Sequence, residues 1–227
     1  MTSTGVAAET LHLAVADGEV SALLDSPAKP DACYVFAHGA GAGMRHPFMA
    51  AVARGLVTRG VAVLRYQFPY MERGSKRPDA PATAHAAVRA AVAVAGERFP
   101  GIPLIAGGKS FGGRMTSQAQ AAVPLARVQG LAFFGFPLHP AGKPGDERAA
   151  HLDEVRIPML FLQGSRDELA DLGLLEPVIA RLEPRATLRV FADADHSLHV
   201  PARSGRTDAE VLAHALDACV EWRASLR

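Results

Sequence analysis

The chain has 227 residues, 49% apolar and 21% charged, with 24 Lys+Arg against 23 Asp+Glu for a net charge of +1. That composition supports a sizeable buried core and excludes a disordered chain. The balanced, scattered charge gives no electrostatic footing for nucleic acid or an anionic membrane.

In chain order, Leu11–Val15 and Val20–Leu24 read as strands around an Asp17-Gly18 hairpin turn. Tyr34–Ala37 is a buried strand that runs into the glycine-rich stretch His38–Gly43. Pro47–Thr58 reads as a helix, with Pro47 in its first turn and Gly60 just past its end. Val61–Tyr66 is the next strand, Gln67–Pro81 a loop rich in Pro, Gly and charge, and Pro81–Phe99 an alanine-rich helix stopped by Pro100-Gly101. Leu104–Ala106 is a short strand leading into GGKSFGG, and a helix from Ser110 to about Val123 follows. Leu131–Phe134, Met159–Leu162 and Leu188–Phe191 supply three more strands, the last two separated by a helix near Leu174–Leu182. A final helix spans about Asp208 to Leu226, opened by a Thr207-x-x-Glu210 capping box.

Strands alternating with helices predict an α/β protein, here one domain over 1–227, with a mostly parallel sheet covered on both faces. An antiparallel hairpin precedes it. The N-terminus lacks a basic segment followed by an apolar one, and no apolar run approaches the roughly twenty residues that span a bilayer. A soluble, cytoplasmic protein without membrane contact is expected. Cys33 and Cys219 lie on apolar faces and are too few for a disulfide framework or metal site. The histidines fall at no metal-ligand spacing, so no metal and no cofactor is expected.

Ligands in such sheets bind beyond the carboxyl ends of the strands. There Gly108-Lys109-Ser110-Phe111-Gly112 forms G-x-S-x-G. Chance supplies this pattern about one time in ten in a chain of this composition, and a serine there also makes an ordinary helix cap. Its place between an apolar strand and a helix argues for more: a sharp turn there lifts a serine hydroxyl above the sheet edge. A serine nucleophile needs a base, itself oriented by a third group. Asp167 and His196 follow in the expected order, each in the loop after a strand. Glu168, Asp171 and Asp195 compete with Asp167, and His199 with His196. Two backbone amides should meet the developing oxyanion, one from Phe111 and one from the glycine-rich turn, with Ala40 the candidate.

Two other motifs break down. A phosphate-binding loop ending at Gly108-Lys109-Ser110 requires glycine at Pro103. A dinucleotide fingerprint starting at Gly39-x-Gly41 requires its third glycine at Met44, although Arg65 ends the next strand where an NADP 2′-phosphate partner sits.

Together AHGAGAGMRHPFM, RYQFPY, GGKSFGGRM, FLQGSRDEL and ADADHSLHV resemble the α/β-hydrolase superfamily from Tyr34 to the C-terminal helix. More narrowly they are similar to small lidless hydrolases related to dienelactone hydrolases and to the hydrolase-like domain of a chromatin-complex subunit. The resemblance implies an α/β-hydrolase fold and a triad of Ser110, Asp167 and His196. Dienelactone hydrolases carry cysteine where this chain has Ser110, so their lactone substrate is not implied.

The short segment from Phe136 to Pro158 predicts no cap domain and an open site. Met44, Arg45, Phe68, Tyr70, Phe136 and Leu138 are the candidate pocket residues, and Arg45 would favour a carboxylated substrate. The reading is a serine hydrolase, a carboxylic-ester hydrolase above all, acting on a small ester, thioester or related acyl substrate. A non-catalytic interaction module with the same fold and an NADP-binding enzyme are its rivals. Oligomeric state is not legible.

Overall fold

In the computed structural model, which describes residues 8–16 and 18–226, eight strands form one sheet. They are β1 (Glu9–Val15), β2 (Gly18–Asp25), β3 (Ala32–Ala37), β4 (Val61–Tyr66), β5 (Leu104–Lys109), β6 (Val128–Phe134), β7 (Met159–Gly164) and β8 (Ala186–Phe191). The helices are α1 (Pro47–Val57), α2 (Pro69–Glu72), α3 (Pro81–Arg98), α4 (Phe111–Ala122), α5 (Leu172–Arg181) and α6 (Asp208–Ala224). The strand order is β1-β2-β4-β3-β5-β6-β7-β8. β1 and β2 are antiparallel to each other, β2 is antiparallel to β4, and β4 through β8 run parallel with β3 among them.

Every residue of β3, β4 and β7 is buried, which is why these strands read as continuous apolar runs. Alternation across the pleat divides them between two cores. Cys33, Val35 and Ala37 pack with residues of α3, α4 and α5, whereas Tyr34 and Phe36 pack with residues of α1 and α6. The fold is the α/β-hydrolase fold expected from the motifs, with helices on both faces and, among the described residues, no cap domain. Residues 135–158, between β6 and β7, carry only a 3₁₀ segment, Glu147–Glu154. Among the described residues no helix is long and apolar enough to cross a membrane.

Three segments differ from their sequence reading. The predicted loop Gln67–Pro81 contains the single turn α2. The predicted strand Leu104–Ala106 extends through both glycines to Lys109, because β5 is central and its backbone groups are claimed by β3 and β6 on either side. Of the expected hairpin turn, Gly18 opens β2 while Asp17 lies outside the described residues. The capping box forms as expected: Thr207 Oγ1 accepts the Glu210 amide at 3.2 Å, and the Glu210 carboxylate accepts the Thr207 amide at 2.7 Å.

Because β3, β5, β7 and β8 are parallel, their carboxyl ends share one edge of the sheet. The His38–Gly43 stretch, Ser110, Asp167 and His196 all follow those ends.

Candidate active site

Ser110 stands between β5 and α4 with φ 51° and ψ −117°, backbone space that non-glycine residues rarely enter. The turn is held by close packing around it. The Ser110 amide donates to Phe134 O at 3.2 Å, and its carbonyl accepts the Arg114 amide at 3.1 Å, starting α4. A Cβ on Gly108 would lie 2.4 Å from Ala37 O, and one on Gly112 would lie 2.5 Å from both Ala37 O and His38 O. Only glycine lets the end of β3 come this close to the elbow.

His196 Nε2 lies 2.8 Å from Ser110 Oγ, and His196 Nδ1 lies 2.7 Å from Asp167 Oδ2. A carboxylate only accepts, so Nδ1 carries the ring proton and the Nε2 lone pair faces the serine hydroxyl. Asp167 is buried, its Oδ1 accepts the Leu169 amide at 2.8 Å, and its Oδ2 also takes a hydrogen bond from Gln163 Nε2. Burial holds His196 below the ordinary imidazole pKa, against the upward pull of the Asp167 hydrogen bond, and the Lys109 charge pushes the same way as burial. Lys109 Nζ donates to the His196 carbonyl, and burial lowers its pKa to about 8.

Three of the four rival residues are accounted for elsewhere. His199 pairs with Asp208 at 2.9 Å on the surface, with its side chain 60% exposed. Asp195 shapes the turn that carries His196, accepting the Ser197 and His199 amides at 2.7 and 3.0 Å. Asp171 is the N-cap residue of α5.

The glycine-rich turn lies against the elbow: a Cβ on Gly39 would be 3.8 Å from Ser110 Cβ. His38 positions it from below. Its Nε2 accepts the Phe68 amide at 3.1 Å, so its Nδ1 carries the proton and donates to Gly39 O at 2.8 Å. Burial lowers the His38 pKa to about 4, keeping the ring neutral. Within the turn the Gly41 amide donates to Tyr70 Oη at 3.2 Å and the Ala42 amide to Gly39 O at 3.3 Å. Among the described residues neither the Ala40 nor the Phe111 amide has a protein acceptor. Both Ala40 and Phe111 border the space beside Ser110.

Two cavities open on Ser110. One, of about 390 Å³, is walled by Phe48, Met49 and Leu169, with Lys109 and His196 at its polar side. The other, of about 430 Å³, is walled by Phe111, Met115 and Pro137, with Arg114 and Arg148. None of the six pocket residues expected from sequence lines either. Met44, Phe68, Tyr70, Phe136 and Leu138 are buried, and Arg45 is exposed outside both cavities. The reason is packing: Phe68 and Tyr70 meet Phe111 edge to face at ring distances of 5.4 and 6.3 Å, and Phe136 packs on Phe133 and Phe161. Nearness in sequence to a functional loop placed these side chains under the site instead of in it.

Gln163 and His38 were not singled out by sequence reasoning. The signal available for Gln163 was a polar side chain closing an otherwise apolar strand. Arg65, the candidate for a nucleotide phosphate, is buried and committed: it pairs with Asp25 at 2.6 Å and donates to Met44 O at 3.0 Å. With Met44 also replacing the third glycine, the NADP reading has no residue left to support it.

A family model described as an alpha/beta hydrolase domain matches residues 30–224. Among solved structures, a lidless α/β serine hydrolase from Xanthomonas campestris is 22% identical, with 94% of this chain and 95% of that one covered at a TM-score of 0.72. Dienelactone hydrolase from Anabaena variabilis is 20% identical, with 97% and 98% covered at 0.77. An esterase domain from Rhodothermus marinus is 18% identical, with 96% and 98% covered at 0.71. At these identities the likeness to the three structures is one of fold.

Proposed function

Since the chain belongs to the α/β-hydrolase domain family, we propose that it is a serine hydrolase cleaving a small ester, thioester or related acyl substrate. The observation that carries this reading is the unbroken hydrogen-bonded series Ser110–His196–Asp167, at 2.8 and 2.7 Å.

Ser110 Oγ attacks the acyl carbon while its proton passes to His196 Nε2. Asp167 holds the ring in the required tautomer and stabilises the imidazolium. The amides of Phe111 and Ala40 receive the oxyanion, a charge that water would otherwise have to reorganise around. Collapse breaks the bond from the acyl carbon to the leaving group, which takes the proton from His196 and leaves an acyl-enzyme on Ser110. Water then attacks the acyl carbon, giving its proton to His196, and the acid departs as Ser110 Oγ is reprotonated.

A fluorophosphonate should label wild type and fail to label Ser110→Ala. Turnover of activated esters should fall by about three orders of magnitude or more in that variant. Equal behaviour of the two proteins in both assays overturns the reading in favour of a non-catalytic module.

A further inference from the structure

The two cavities beside Ser110 differ in charge and in their relation to His196. The apolar one includes His196. The other includes Arg114 and Arg148 but not His196. The leaving oxygen must be within reach of His196 Nε2 to take its proton, so the leaving group belongs on the His196 side. The acyl chain then points into the arginine cavity.

That cavity is cationic and its guanidiniums are uncommitted. Among the described residues neither Arg114 nor Arg148 forms an ion pair, and Arg114 Nε is buried without a hydrogen-bond partner. The Arg114 guanidinium sits 6.0 Å from the centre of the Phe111 ring, which fixes its place beside the residue following the nucleophile. The one carboxylate in the lining, Asp79, is paired with Arg73 at 2.5 Å, and its other oxygen is buried without a partner. Burial and the neighbouring Arg148 charge both lower the Arg114 pKa. A guanidinium does not give up its proton in this range, so the two charges repel. An anion between the two would relieve it and would satisfy planar, paired donors.

Resting on the serine hydrolase reading, we infer that the preferred substrate carries a carboxylate at the far end of its acyl chain, held by Arg114 and Arg148, and an apolar leaving group held by Phe48 and Met49. The substrate class is the half-ester or half-thioester of a short dicarboxylic acid, and the product released from Ser110 is the dicarboxylate.

The test compares 4-nitrophenyl hydrogen glutarate with 4-nitrophenyl valerate, an acyl chain of the same length without the charge. Wild type should favour the half-ester by about tenfold or more in kcat/KM, the size expected for hydrogen bonds to a charged group. The ratio should fall about tenfold in Arg148→Gln and in Arg114→Gln, and reverse towards the neutral ester in Arg148→Glu. Arg45→Gln, on the surface outside the cavity, should keep the wild-type ratio. A wild-type ratio near one, or a ratio unchanged in both glutamine variants, overturns the assignment while leaving the hydrolase reading intact. Glutarate should also raise the Tm of wild type and not of Arg148→Gln, a change at a half-buried position. If no ester is turned over and Ser110 is not labelled, that thermal shift still decides the anion site: its presence supports the site without the hydrolase, and its absence overturns both.

Discussion

Gln163 and His196 meet the same oxygen of Asp167, Oδ2, the imidazole from 2.7 Å. The Gln163 side chain is itself oriented from its other end, where Oε1 accepts the buried Phe136 amide at 3.0 Å. That bond makes the opposite end of the carboxamide a donor, so the backbone after β6 selects the face that Gln163 shows to Asp167.

Gln163→Leu should therefore act twice. It leaves the Phe136 amide without an acceptor, at a cost of about 1–3 kcal/mol, and removes one of the donors that hold the carboxylate. The expected outcome is a lower urea midpoint and a kcat reduced by roughly tenfold with KM nearly retained, the pattern of a positioning defect. A kcat equal to wild type would mean that the Leu169 amide and His196 hold Asp167 without help from Gln163.

The acid limb of kcat/KM reports His196 in the free protein. Its pKa is lowered first by burial and further by Lys109. Protonated His196 cannot accept the Ser110 proton, so activity falls as pH drops, with its midpoint below 6.5. Lys109→Met removes a positive charge that disfavours the imidazolium, so the limb should move to higher pH. A limb that stays in place in that variant would remove Lys109 from the electrostatics of the site.

Gly112→Ala forces a Cβ to within 2.5 Å of the carbonyl oxygens of Ala37 and His38, which are backbone and cannot rotate away. The variant should lose several kcal/mol of stability, as overpacking at a backbone contact does, together with most activity. Gly101→Ala is the control: nothing lies within 4 Å of its Cβ, so Tm and kcat should match wild type. Similar Tm values for the two variants would show that the elbow relaxes more readily than the packing indicates.

His38 links stability to acid. Its folded pKa is about 4 against an ordinary 6.5, so the unfolded chain binds the proton more readily. Its contribution is complete above pH 6.5, falls between 6.5 and about 4, and is lost below that. The size is about 3 kcal/mol at full protonation, by the linkage of pKa shift to free energy. Urea unfolding from pH 7 to pH 4 should show the fall, and His38→Gln should flatten this part of the curve. The same slope in both proteins would assign the acid sensitivity to other groups.

Much of this was legible in one dimension. Apolar runs such as Val61–Tyr66 and Met159–Leu162 identified central strands, because a strand covered on both faces has no polar side to show. Ser110, Asp167 and His196, the proposed triad, were candidates by their place after strands, since a parallel sheet delivers such loops to one edge. The single turn α2 in Gln67–Pro81 was missed because a four-residue helix has too little periodicity to register.

The sequence by itself determined which groups stand at the carboxyl edge, because the succession of strands and loops along the chain follows from local pattern and a parallel sheet gathers those loops at one edge; the order of the strands across the sheet did not follow from it. What lines the space beside Ser110 was decided only by tertiary structure. Phe68 and Tyr70 come from a loop that reaches the site, yet their rings pack beneath Phe111. Arg114 and Arg148 are 34 positions apart and meet in one cavity. Side-chain direction depends on packing among segments distant in sequence, and no local pattern encodes it.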